Sequence, residues 1–95
     1  MNNGNNGKTK TDFLLEVTNQ YSLRELLEQK LAEIVGMVRS VEGNHNLYKE
    51  VIKQTEAVLL RLALSKTDSQ LAAAQLLGIN RNTLRKKIKE LNLSG

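Results

Sequence analysis

Five cations stand against one acid in the stretch from Gly78 to Gly95, GINRNTLRKKIKELNLSG: Arg81, Arg85, Lys86, Lys87 and Lys89 against Glu90. The whole chain carries a net charge of +4, and this stretch supplies all of it, because residues 1–77 hold nine basic and nine acidic side chains. Guanidinium and ammonium groups gathered on one short segment behind a glycine form the electrostatic footprint of a nucleic-acid reader. The residue types suit that chemistry in detail. Arginine can bind a guanine edge through two hydrogen bonds and asparagine can bind adenine, while threonine and lysine hold phosphates. On a helix turning about 100° per residue, Leu84, Ile88 and Leu91 share one face. Asn82, Lys86 and Lys89 point the opposite way, with Arg85 on one shoulder and Thr83 on the other. Lysines late in a helix also favour its dipole, which accounts for Lys87 and Lys89 without any ligand. Arg81 has no such account: a cation in the first turn meets the positive end of the dipole and costs a few tenths of a kcal/mol. Its place at the start of a helix suits a groove reader.

Other chemistries lack their residues. There is no cysteine, so neither a disulfide framework nor a zinc finger can form. The single histidine, His45, lies in a Gly-Asn-His-Asn stretch and reads as a loop residue, so a multi-histidine metal site is excluded. No nucleophile with a base and no glycine-rich phosphate loop accompanies it, so no enzyme, cofactor or metal is expected. Readers of single strands or RNA want aromatic stacking platforms, and no aromatic follows Tyr48. The basic segment has three aliphatics, enough to dock a helix but short of the broad apolar face of a membrane-surface helix. No apolar run approaches the roughly 20 residues that span a bilayer. The start, MNNGNNGKTK, has no hydrophobic region of a secretory signal. A cytoplasmic, nucleoid-associated protein is expected.

The elements that position the basic face follow from spacing. With no proline, and with Leu, Ala, Glu and Lys dominant, the chain reads as all-α. Residues 1–10 are Asn/Gly-rich and read as disordered, adding nothing to DNA affinity. Residues 11–21, TDFLLEVTNQY, are ambiguous: Phe13, Leu15 and Val17 alternate like a strand, while Phe13, Leu14 and Val17 fit a helix turn. This piece reads as a semi-ordered arm. A helix then begins at Ser22, with Ser22 and Glu25 as a capping box, and carries Leu23, Leu27, Leu31, Ile34, Val38 and Val41 until Gly43 stops it. Asn44 or Asn46 caps a second helix with Tyr48, Val51, Ile52, Val58, Leu59 and Leu62 on one stripe. Positions 48, 55 and 62 repeat by sevens, as do 51 and 58, which suits helix-on-helix packing. A short Leu/Ala helix follows Ser69 and ends at Gly78, and Asn80 caps the basic helix. Two helices joined by Gly-Ile-Asn form a helix-turn-helix pattern, and the run Ala72, Ala73, Ala74 lets them cross closely.

The segment LYKEVIKQTEAVLLRLALSKTDSQLAAAQLLGINRNTLRKKIKEL, Leu47 to Leu91, resembles the Fis family, and also the related C-terminal DNA-binding domains of NtrC-class enhancer-binding activators. The most specific stretch is LGINRNTLRKKIKEL, and SLRELLEQKLAEI extends the likeness back to Ser22. The resemblance implies four helices, the first two intertwined with a second subunit and the last two forming the helix-turn-helix. It implies homodimers that bend double-stranded DNA, with contacts on Asn80, Arg81, Thr83, Arg85, Lys86 and Lys87. Two departures stand out. The family pattern T-x-G-N before the third helix is one residue shorter here, at Thr67-Asp68-Ser69, so the contact made there in the family does not transfer to Ser69 or Gln70. The region before Ser22 lacks a hairpin turn between two strands, so the mobile β-arms with which Fis touches recombinases are not expected.

Three parts result: an N-terminal segment (1–21), dimerisation helices (22–66) and a helix-turn-helix unit (67–95). The expected DNA-binding residues are Asn80, Arg81, Asn82, Thr83, Arg85, Lys86, Lys87 and Lys89. The expected dimer interface comprises Leu27, Leu31, Ile34, Val38, Val51, Val58, Leu59 and Leu62, because small domains bury little of their surface and exposed aliphatic stripes mark interfaces. A two-fold dimer matches a pseudo-palindromic site. The reading is a transcription regulator. It is either a free-standing Fis-like architectural factor or the end of an NtrC-class activator that reaches the transcription machinery through other domains. The alternative is a helical interaction module with only non-specific DNA affinity.

Overall fold

The computed structural model describes residues 9–43 and 45–93. It contains five helices and no strand among them: α1 (Lys10–Gln20), α2 (Leu23–Arg39), α3 (Leu47–Ser65), α4 (Gln70–Leu77) and α5 (Arg81–Glu90). The chain divides into two compact units, one up to residue 44 and one from His45 onward. α3 therefore packs with the helix-turn-helix pair, across the boundary that the sequence suggests at residue 66.

The first unit holds α1 and α2. The ambiguous segment is a helix, and Thr9 and Lys10 belong to its start. A capping box nucleates it: Thr9 Oγ1 accepts from Asp12 N at 3.1 Å and Asp12 Oδ2 accepts from Thr9 N at 3.1 Å. The alternation at Phe13, Leu15 and Val17 is incidental to this nucleus. At the next junction the expected box is absent. Ser22 precedes α2 with φ 51°, left-handed, and its hydroxyl caps nothing. An N-cap needs an extended backbone, whereas Ser22 N is spent closing α1 on Asn19 O at 3.0 Å. α2 also ends earlier than Gly43 suggests. Ser40 N and Oγ both donate to Met37 O, at 3.2 and 2.6 Å, and Val41 N donates to Val38 O at 3.1 Å. These short-range bonds tighten and finish the last turn, leaving Val41 outside. Neither α1 nor α2 contains a buried residue. Leu27 and Ile34 are exposed and Leu31 and Val38 half-buried.

The second unit has the core. Leu60 and Ala63 of α3, Ala73 and Ala74 of α4 and Leu84 of α5 are buried, with Leu64, Leu77, Ile79, Ile88, Leu91 and Leu93 packed around them. Ala73 and Leu84 have no exposed surface, as expected where small side chains let α4 and α5 approach. On α3 the buried side is not the heptad stripe. Ile52, Val58, Leu59 and Leu62 of that stripe are exposed and Val51 half-buried. The inner side is Leu60 and Ala63, roughly 110° around the helix from it. Of the expected caps for α3, Asn44 lies outside the described residues. Asn46 holds the position without a side-chain bond, its backbone at φ −95°, ψ 43° being off the extended region.

The α4–α5 turn forms as its residues predict. Ser69 accepts from Ala72 N at 3.0 Å to start α4. Gly78 ends it at φ 74°, with Ile79 N donating to Ala74 O at 3.0 Å, the six-to-one bond of a Schellman motif. α5 closes in the same way: Asn92 is left-handed at φ 59° and Leu93 N donates to Ile88 O at 2.9 Å. A methyl group built on Gly78 meets nothing within 4 Å, so the demand on this position is purely conformational. Gly78→Ala is expected to cost about 1–2 kcal/mol, and Gly78→Asn less, since asparagine tolerates the left-handed region. Denaturant unfolding of the three proteins checks the order.

Candidate nucleic-acid interface

α5 is held from one side and open on the other. Asn80 starts it: its Oδ1 accepts from Asn82 N at 2.7 Å with an extended backbone, a regular N-cap. Asn80 is thus committed first to building the helix, with its amide nitrogen left over for other work. Leu84, fully buried, pins the first turns to α4 and α3, and Ile88 and Leu91 continue that side. Burying a leucine side chain contributes about 1.5–3 kcal/mol, so this contact is the main fixture of the helix.

Asn82, Lys86 and Lys89 lie opposite this seam at about 100° per residue, Thr83 and Arg85 stand on its shoulders and Arg81 in the first turn, and all six are exposed. The structure therefore brings seven of the eight expected residues, Asn80 included, to the outward side and end of a single helix. Four of them are cations. Their like charges have no packing reason to gather on a ten-residue helix, and mutual repulsion disfavours it.

Lys87 is the eighth, and it faces elsewhere. Its Nζ lies 2.6 Å from Glu56 Oε2 of α3, with about one third of each side chain exposed. The Glu56 carboxylate raises the Lys87 pKa above the ordinary lysine value, first through that hydrogen bond and then through its charge, with Glu90 adding a little. Glu56 is the site residue that sequence reasoning misses. Its signal was present: 56, 60 and 63 share a face at helical spacing, so Glu56 stands one turn before buried Leu60 on the side toward α4 and α5.

Among the described residues no cluster of His, Cys, Asp or Glu is arranged to hold a metal ion, and no helix is long and apolar enough to cross a membrane.

Comparison with known proteins agrees with this geometry. The model of bacterial regulatory proteins of the Fis family matches residues 51–91, from the second turn of α3 through α5. The DNA-binding protein Fis of Buchnera aphidicola subsp. Acyrthosiphon pisum (strain 5A) is 36% identical over 95 residues, covering 92% of this chain and 96% of that protein. The DNA-binding protein Fis of Psychromonas ingrahamii is 35% identical over 86 residues, 87% of each. The DNA-binding transcriptional regulator NtrC of Azospirillum brasilense is 40% identical over 72 residues, which are 75% of this chain but 15% of that protein. The chain thus spans nearly the full length of the first relative and about one seventh of the NtrC regulator. No solved structure matches significantly. The near-complete coverage by Fis proteins, together with the matched helix-turn-helix, establishes that the chain belongs to the Fis family of bacterial regulatory proteins.

Proposed function

We propose that the protein is a homodimeric helix-turn-helix regulator that binds and bends double-stranded DNA, with α5 in the major groove. The observation that carries this is the division of α5 into a buried seam at Leu84 and an open side bearing Arg81, Asn82, Arg85, Lys86 and Lys89. The first turns of a recognition helix reach deepest into the groove, which makes Arg81 and Arg85 the candidate base readers. Lys86 and Lys89, with Thr83, hold phosphates, Lys89 more weakly because it lies further along. Asn82 faces the same groove, and Asn80 orients the first turn. The relatives' names support DNA as the ligand, since both the Fis and the NtrC proteins are DNA-binding.

Dimerisation rests on the apolar surface that the chain leaves uncovered. Leu27, Leu31, Ile34 and Val38 on α2, and Val51, Val58, Leu59 and Leu62 on α3, are exposed or half-buried. Ordering α1 and α2 costs about 1–2 kcal/mol of backbone entropy per residue, and a first unit with no buried residue cannot offset it alone. A second copy that covers these stripes supplies the missing burial. The role is regulation of transcription in the cytoplasm, at the nucleoid. It is exerted either as a free-standing bending factor or as the DNA-reading end of an NtrC-class activator whose other domains act on the transcription machinery. Such a protein carries no catalytic function and no cofactor.

Stoichiometry tests this reading. A duplex bearing a site enriched from a random pool is expected to bind two chains, and to migrate with a mobility that depends on the site's position along the fragment, the signature of a bend. One chain per duplex, or a mobility independent of position, contradicts it. The competing reading, an interaction module with non-specific DNA affinity, requires that no sequence be enriched at all.

A further inference from the structure

Composition gives the basic helix five cations, but the structure leaves four of them on the open side. The fifth, Lys87, is bound by an acid from a different helix, at 2.6 Å. Two features make this contact more than decoration. It is not needed to fix α5, because Leu84, Ile88 and Leu91 already dock that side in apolar contact, and an ion pair with a third of each partner exposed contributes little to stability. It also places a carboxylate beside a helix whose other exposed charges gather for a polyanion. A side chain selected for affinity alone would not stand there, since it both repels phosphate and occupies a lysine.

We infer that Glu56 is an affinity-setting residue: it withholds Lys87 from DNA, so each subunit grips one phosphate fewer than its sequence suggests. This rests on the DNA-binding reading above. Lysine has a flexible four-carbon stem, and Lys87 adjoins Lys86 on the helix, so release from Glu56 lets its ammonium reach toward the backbone beside the phosphate that Lys86 holds. A moderate grip has a use in such a regulator. Non-specific affinity comes essentially from phosphate contacts, so surrendering one loosens the hold on non-target DNA while leaving the ratio of specific to non-specific binding unchanged.

The test is a double-mutant cycle on the full chain: wild type, Glu56→Gln, Lys87→Met and the double variant, titrated with salt on an enriched duplex and on a scrambled one. Glu56→Gln is expected to tighten binding to both duplexes roughly three- to tenfold at low salt and to steepen the salt slope by about 0.9 per subunit, close to two per dimer. Lys87→Met alone is expected to change affinity little. In the Lys87→Met background most of the gain from Glu56→Gln is expected to vanish, whereas simple repulsion by Glu56 predicts that all of it persists. Melting temperatures of all four proteins without DNA separate a structural role. If Glu56→Gln weakens binding, or if Lys87→Met alone costs as much as Lys86→Ala, the inference is overturned, the first because the pair positions α5 and the second because Lys87 already holds phosphate. Lys86→Ala serves as the separate control on the site. If it leaves affinity unchanged, or if the wild-type chain binds neither duplex, the DNA-binding reading falls and takes the inference with it. If Lys86→Ala weakens binding and the cycle shows no coupling, only the role of Glu56 is wrong.

Discussion

Leu59→Asp is expected to abolish the folded protein at micromolar concentration. Leu59 is 56% exposed in the single chain and Val58 beside it 48%, so nothing within one chain forbids aspartate at either place. An exposed substitution on a helix surface ordinarily changes stability by less than about 0.5 kcal/mol. In a dimer the same side chain is covered twice, once per subunit, and a carboxylate buried without a partner costs several kcal/mol. Domains of this size have only about 5–15 kcal/mol in hand, so two such charges exceed what the assembly can lose. The two cases are far apart and easily distinguished. Circular dichroism melts over a range of concentrations, combined with light scattering, are expected to show a wild-type melting temperature that rises with protein concentration and a Leu59→Asp protein without a cooperative transition. A variant that melts like the wild type, or a wild type that is a stable folded monomer, contradicts the proposed interface. Val58→Asp is expected to behave as Leu59→Asp does.

How far the sequence discloses this fold depends on the range of the forces involved. Ser69, Gly78 and Asn80 act within three or four residues of themselves, and each does what its type predicts: an extended cap, a left-handed end, an extended cap. Ser22 and Asn46 are the same residue types at equally plausible places, yet neither side chain caps. Their backbones are set by the preceding junctions, and a cap residue whose φ and ψ leave the extended region cannot aim its oxygen at the first turn. The N-terminal helix shows the reverse error. Its capping box is Thr-x-x-Asp and not the commoner Ser/Thr-x-x-Glu, so it is easily passed over beside an alternation that imitates a strand. The inner and outer sides of α3 are the hardest to separate. Both are aliphatic, and periodicity alone registers the more continuous stripe, Val51 to Leu62, whereas the intrachain core takes Leu60 and Ala63. The outer stripe stays largely exposed in the single chain, which is why it is proposed as the dimer surface. In the site itself the open side of α5 is visible from helical geometry, because docking residues and cations alternate at 3.6-residue spacing. The Lys87–Glu56 pair is not, since thirty-one positions separate its partners and only the packing of α3 against α4 and α5 brings them together.

The second large effect concerns Arg81, the residue whose placement has no account in stability. Its side chain is exposed in the first turn of α5, where the helix dipole opposes a cation by a few tenths of a kcal/mol. Removing it is therefore expected to leave the melting temperature unchanged or slightly raised. On DNA the same change is expected to be severe. A bidentate arginine–guanine pair contributes about 1–3 kcal/mol of discrimination, and a dimer makes two, so a site loses roughly 2–6 kcal/mol of specific binding. Arg85→Ala is expected to behave similarly. Lys86→Ala is expected to weaken all duplexes alike and to flatten the salt slope by about 0.9 per contact.

Binding of the wild type and Arg81→Ala to an enriched duplex and to its scrambled counterpart, at several salt concentrations, therefore tests whether α5 reads bases. Base reading by α5 predicts a loss on the enriched duplex of at least about thirtyfold, roughly 2 kcal/mol, and a much smaller loss on the scrambled one, with the difference persisting as salt rises. Equal losses on the two duplexes, or no loss on either, would contradict it.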